Sequence, residues 1–372
     1  MKNPVRSFVL AVLPFLLTSA LPPILLSIAV STGFSFAQTV VENPAKPLAK
    51  EAGRVLKLTE VWRIGDESGE FYFKYPHDLK IAEDGSIFLA EAEQFLKFSA
   101  DGKFLGNLYK KGQGPGEIGG NWYGYLIHGR DLFILDMNSR RFWRADFDGV
   151  FKEPINLEKK DYDSLLGVLP DGFLFEKQEW PPPTERTGKL LEILHTVGEF
   201  ARDGSWRRDI ATFKPKNFLL PQGGRGWDSS ITAISPDAKF LYAYHGRDYL
   251  IEVVDLATGA VARRMNRAYA KVPHVEDGRE RDWRNKNGGP KMEFESDIDE
   301  LFPVGERLWV ATSMDDKTKG RLIDVFDKDG RFVDSFYLGA GRQLMAVRED
   351  AVYCQEKNED EAIAIVKYRI EK

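Results

Sequence analysis

From Val55 onward the apolar residues come in short runs rich in β-branched and aromatic side chains, separated by Asp-Gly or similar turns. Runs of this length between turn residues predict β-hairpins, and long helical periodicity is nearly absent. The stretch 188–199 fits a short helix, but Leu190, Leu191, Ile193 and Leu194 fit a strand equally well. The runs also recur in a fixed order, the mark of a repeat architecture. One copy reads as strand 78–82, turn Glu83-Asp84-Gly85, strands 86–90 and 94–98, turn Asp101-Gly102 and strand 103–108. A second runs through 123–127, 131–135 and 141–144, then turn Asp148-Gly149 and strand 150–155. Further copies start near Leu165, Ser230, Asp297 and Gln343, with turns at Asp171-Gly172, Asp203-Gly204, Pro236-Asp237, Thr258-Gly259, Gly305-Glu306, Asp329-Gly330 and Glu349-Asp350.

The copy that starts at Gln343 ends after strand 362–370, one strand short. An unpaired edge is a liability that sheets avoid. The stretch 55–62 is the strand-like segment that precedes the first copy, and the loop after it supports its use as an outer strand. Gly65, Gly69, Glu70 and Phe71 follow it as Gly112, Gly116, Glu117 and Ile118 follow the first copy's outer strand. In both loops a leucine, Leu79 or Leu126, stands nine residues after the glutamate. The expectation is an all-β fold over 55–372, a six-bladed β-propeller of four-stranded antiparallel blades. Its ring is closed by an N-terminal strand that completes the last blade. A two-sheet sandwich accommodates six copies and a truncated last one poorly. Insertions are expected at 179–189, 213–228 and 265–295, and the charged stretch 277–289 reads as a solvated loop.

The N-terminus is different. Lys2 and Arg6 precede an apolar run over 8–30, and Ser35 and Ala37 suit cleavage after Ala37. Residues 1–37 read as a signal peptide, which implies a periplasmic or secreted protein; 38–54 reads as a linker. The run is long and contains Pro14, Pro22 and Pro23, and a retained membrane anchor over 8–30 is the competing reading. The single cysteine, Cys354, makes no internal disulfide and sits in a strand as an inert thiol. The chain carries a net charge of −5 and no basic stripe, which argues against nucleic acid.

Residues 75–90, with Pro76, a strand, the turn Asp84-Gly85 and a second strand, resemble an NHL-type repeat. The loop Gly112-Gln113-Gly114-Pro115-Gly116-Glu117 resembles one found in secreted bacterial six-bladed propellers of largely uncharacterised function. The resemblance covers about residues 55–372. It implies the fold strongly and a function hardly at all. Lactonase-type propellers hold a catalytic metal through Glu and Asn on the inner strands, and the inner strands here show neither at clear equivalent positions.

The glycine loop at 112–117 is no phosphate cradle: Pro115 removes an amide, Glu117 repels an anion and a strand follows. No pair among the five histidines stands at metal-ligand spacing. Candidate ligand-binding residues come instead from the expected ring, at the starts of the inner strands around the channel mouth. They are His77, Asp78, Tyr123, Asp163 with Ser164, Asp228 with Ser230, Asp297 with Asp299, and Arg342 with Gln343. Such a cluster would suit a polar ligand or a cation; no cofactor is evident, and Ca2+ or another divalent metal fits an oxygen-rich set. Trp180 and Trp227 lie in insertions and are the surface candidates. The expected function is binding of a protein, peptide or saccharide through the channel face and long loops. The alternative is a channel-centred metal-dependent hydrolase or lyase.

Overall fold

The computed structural model describes residues 39–371 except 67–68, 92, 113, 115, 120–122, 137–139 and 359. The signal-peptide stretch 1–37 therefore lies outside the described residues. The described chain is all-β apart from one α-helix and one turn of 3-10 helix. Its strands form six larger sheets in chain order, with a propeller-like repeat of the same up-and-down path.

Sheet one comprises Pro76–Ile81, Ile87–Glu91, Gln94–Phe98 and Phe104–Asn107. Sheet two comprises Tyr123–His128, Asp131–Asp136 and Arg141–Asp146, with isolated bridges from Phe142 to Ile155 and Ala145 to Phe151 in place of a regular outer strand. Sheet three comprises Ser164–Leu169, Gly172–Glu179, Leu194–Ala201 and Trp206–Phe213; sheet four comprises Ser229–Ile234, Phe240–Gly246, Leu250–Asp255 and Val261–Arg267. Ile298–Val304, Arg307–Asp316, Gly320–Phe326 and Phe332–Tyr337 build sheet five. Sheet six has Arg342–Arg348, Ala351–Lys357 and Ile363–Ile370, and its fourth strand is Leu58–Ile64 from the other end of the chain. That pairing is antiparallel, with Ile64 opposite Ile365 and Leu58 opposite Ile370.

Second strands such as Ile87–Glu91 are buried along their whole length, because a neighbouring sheet packs on each face. Their apolar runs are therefore continuous rather than alternating. The core lies between consecutive sheets. Phe88, Ala90 and Phe95 of sheet one pack with Tyr125, Leu132 and Ile134 of sheet two. Ile87, Leu89 and Leu96 pack on the other side with Tyr353 and Ile365 of sheet six. The turns between strands are sterically exacting. Gly204 has φ +88°, and a Cβ there would meet the Asn156 carbonyl oxygen at 2.3 Å.

Three parts differ from the simple repeat. The stretch 38–54, expected to be a linker, adds Thr39–Asn43 in parallel to the outer strand of sheet four, and at its end Arg54–Val55 pairs with that of sheet five. Asn43 anchors it, donating to the Asn266 and Gly330 carbonyls at 2.9 Å each. The stretch 188–199 forms two strands, Lys189–Glu192 and the start of Leu194–Ala201. Lys189–Glu192 joins Lys216–Leu220 and Gly223–Gly226 in a small separate sheet. The charged stretch near 277 is not a loop but the helix Gly278–Asn287. Asp277 caps it by accepting from the Glu280 amide at 2.8 Å, and Gly288 ends it at φ +67°. Trp283 of this helix packs edge-on against Phe218 of the small sheet at 5.9 Å, and Arg225 pairs with Glu280 at 2.6 Å. Among the described residues no helix is long and apolar enough to cross a membrane.

Candidate functional site

An acidic residue follows an apolar run in the second strand of four sheets, in the segments IFLAE, LFILD, GFLFE and VYCQE. Each of these acids is bound by protein. Glu91 accepts from the backbone amides of Lys74 and Tyr75, both at 2.8 Å, and so fixes the chain that enters sheet one. Asp136 accepts from the Gly119 amide at 2.8 Å. Glu176 meets His195 at 3.0 Å. Glu356 accepts from Tyr368 at 2.5 Å, Arg63 at 2.8 Å and Arg342 at 3.1 Å. Burial opposes the charge on Glu356, but these three donors outweigh it and hold the carboxyl below its usual range.

The inner strands start at this same end of the sheets. Several carry a β-bulge near their start, between His77 and Lys80, Leu165 and Gly167, Ile298 and Glu300, and Leu344 and Ala346. A bulge re-aims side chains. At the first, Asp78 takes φ 52°, a left-handed conformation uncommon for a residue with a side chain, and pairs with Lys80. At the third, the extra residue is Asp299, which pairs with Arg321. The next residue, Glu300, makes no hydrogen bond or ion pair among the described residues, although solvent reaches it. Its recessed position pushes its carboxyl up to about 7. Burial is the main cause; Lys80 opposes it, and Asp78 and Asp299 reinforce it. Glu300 is an inner-strand carboxylate that the sequence reading passed over, because the bulge at Asp299 displaces the register by one residue.

A cavity of about 330 Å3 opens beside Glu300, lined by Asp299, Asp315, Arg321 and Arg342 among others. Arg321 donates to the Thr312 carbonyl at 2.9 Å, and Arg342 stacks over Tyr368 at 4.4 Å. Gln343 also lines this cavity. The fold thus brings Asp78, Asp299 and Arg342 to the region of Glu300, but the other expected residues go elsewhere. His77 is exposed and its Nδ1 donates to the Tyr75 carbonyl at 2.8 Å. Asp297 is buried against sheet four, where Lys271 pairs with it at 2.9 Å. Asp228 accepts from the Lys216 amide at 2.8 Å and braces the small sheet. Asp163 lies half-buried near Glu176, and burial raises its carboxyl above the usual range. Tyr123 begins the inner strand of sheet two, and its side chain is outside the description. Trp180 is exposed beside Arg186, whereas Trp227 is half-buried beneath Arg247 at 5.2 Å. Among the described residues no three His, Cys, Asp or Glu side chains are grouped to hold a metal ion.

A second cluster joins sheets three and four. Ser230 Oγ lies 3.1 Å from His195 Nδ1 and 2.8 Å from His245 Nδ1, and His195 in turn meets Glu176. The His245 ring stacks on Phe213 at 4.1 Å. Burial, reinforced by His195, lowers the His245 imidazole to about 3, so it stays neutral beside Ser230. His245 stands opposite Ser230 across the strand pair, as Glu176 stands opposite Ser164. Strand-two alignment with the acids of the other sheets is the signal that would have picked it out.

No family model matches the sequence, and no curated protein matches it. The structure is similar to that of a protein from Bacteroides fragilis assigned as exported, at 13% identity and a TM-score of 0.54, covering 90% of this chain and 100% of that one. It is also similar to a member of the DUF4221 family from Bacteroides vulgatus, at 10% identity and a TM-score of 0.52, covering 86% and 99%. A gluconolactonase from Xanthomonas campestris is a looser likeness, at 13% identity and a TM-score of 0.44, covering 87% and 99%. At such identities the first two likenesses establish a shared fold, and the third carries no argument.

Proposed function

We propose that the protein is an exported six-bladed β-propeller that binds a polar peptide or saccharide at its channel mouth. Six blades closed into a ring are supported by the pairing of Leu58–Ile64 with the last sheet and by the core shared between sheets six and one. Export is supported by the apolar N-terminus with small residues before Gln38 and by the fold shared with a protein assigned as exported. The observation that carries the binding reading is Glu300. It is a recessed, solvent-reached carboxylate without a protein partner, beside a cavity that also presents Arg321 and Arg342. Pockets of this size with a few convergent polar groups suit small ligands or one residue of a chain. Its loops and insertions supply further contact surface, as loops on rigid scaffolds commonly do.

The carboxyl of Glu300, pushed up to about 7, is also in the range of a general acid or base. A channel-centred hydrolase or lyase therefore stands as the second reading. A thermal-shift screen of peptides, oligosaccharides and divalent metals, with and without chelator, separates the two. A peptide or sugar that raises the melting temperature of the wild type, but not of Glu300→Gln, supports binding at the mouth. Stabilisation by a metal, lost on chelation, favours the enzyme; a screen silent for every class contradicts the channel-mouth reading.

A further inference from the structure

At the opposite end of the strands, sheets two and three frame a recess of about 680 Å3. Arg144, Lys152 and Arg202 line it together with Asp131 and Glu153, three cations against two carboxylates on a chain whose net charge is −5. The carboxylates do not satisfy the cations evenly. Asp131 is shared by Arg144 at 2.5 Å and Lys152 at 3.2 Å, and the Arg144 bond holds its carboxyl below the usual range. Arg202 has no carboxylate at ion-pair distance among the described residues. Its Nη2 donates to the carbonyls of Leu169 at 2.7 Å and Pro170 at 3.2 Å. Its guanidinium lies over the rings of Phe133 at 5.5 Å and Phe173 at 5.1 Å.

This arrangement engages Nη2 and leaves Nε and Nη1 without a protein acceptor among the described residues. Partial burial, and then repulsion from Arg144, oppose its charge, with smaller attraction from Asp171 and Asp131. An anion entering the recess offsets the repulsion. Nε–H and Nη1–H, which lie on different edges, can each donate one charge-assisted bond to an oxyanion, and the neighbouring cations Arg144 and Lys152 add charge. We infer that the recess framed by Arg144, Lys152 and Arg202 is a binding site for a tetrahedral oxyanion, a sulfate or phosphate group. It is distinct from the channel mouth and independent of what binds there.

Titration calorimetry of the purified chain with inorganic sulfate and inorganic phosphate, at constant ionic strength against chloride, tests the site. Saturable binding is expected, weakened about tenfold or more in Arg202→Gln through loss of its charge and charge-assisted bonds. Arg144→Gln, which changes a side chain at the rim, is expected to weaken binding by a smaller factor. It serves in place of Arg202→Gln if that variant does not fold. Glu300→Gln is expected to bind the anion as the wild type does. A sulfated disaccharide that binds more tightly than free sulfate identifies a group carried on a saccharide; equal affinity identifies the free ion. Absence of saturable binding, or equal binding by wild type and both arginine variants, overturns the inference.

Discussion

Glu91 and Glu300 are two glutamates at the same end of the sheets whose carboxyls burial raises, but only Glu91 has hydrogen-bond partners. Glu91 is fully buried, yet two backbone amides bind its carboxylate and pin the entry to the inner strand of sheet one. Glu300 is reached by solvent, yet no protein group bonds to it, and its carboxyl is pushed up to about 7. Buried polar groups are normally satisfied, so an acid with partners is explained by the fold it supports. An acid recessed without partners is not explained by the fold, and on the proposed function it serves the ligand. The two differ in partners as well as in exposure.

Removing a satisfied acid should damage the fold and spare the mouth. Glu91→Ala orphans the Lys74 and Tyr75 amides and is expected to cost about 3 kcal/mol in denaturant unfolding. Ligand affinity at the cavity, measured on the folded fraction, should be unchanged; a loss of affinity without a loss of stability would reverse the assignment. Glu356→Gln is expected to cost about 2 kcal/mol at neutral pH, because Arg63 and Arg342 lose an ionised partner. The folded carboxyl of Glu356 lies below its unfolded value, so its contribution is present above the usual carboxylate range and disappears as pH falls through the folded value. The wild-type and variant stabilities should therefore converge in acid. Curves that stay equally separated down to low pH would show that the ionised carboxylate is not what matters.

Much of the repeat was legible in local chemistry. The Asp-Gly turns at 84–85, 101–102, 148–149 and 203–204 place glycines at positive φ, between +74° and +88°, where hairpin reversal requires it. Strand Gln94–Phe98 falls where the apolar run does, and Leu58–Ile64 pairs with the last sheet as the missing outer strand requires. What stayed hidden depends on long-range packing. The pairing of Thr39–Asn43 and Arg54–Val55 with sheets four and five comes from edges more than two hundred residues away, and Pro44 and Pro47 disguise it. The helix Gly278–Asn287 has no apolar face, so no periodicity announces it; its Asp277 cap and closing Gly288 are its sequence signals. At the site, inner-strand position pointed to Asp78, Asp299 and Arg342, but the one-residue bulge at Asp299 brings Glu300 to the cavity beside it. The Ser230 cluster draws on residues from four strands in two sheets, and none of its spacings carries a motif.

The smallest expected effect tests the account most directly. Denaturant unfolding of wild type and Glu300→Gln should be compared at pH 5 and pH 8. A folded carboxyl raised to about 7 favours the native state while protonated and weakens it as pH rises from the unfolded value through the folded one. The account predicts equal stability at pH 5. At pH 8 it predicts a variant more stable by about 1 kcal/mol, a figure reduced for the solvent that reaches the recess. Parallel stabilities at both pH values, or a variant destabilised at pH 8, would mean that Glu300 has protein partners and is one more architectural acid.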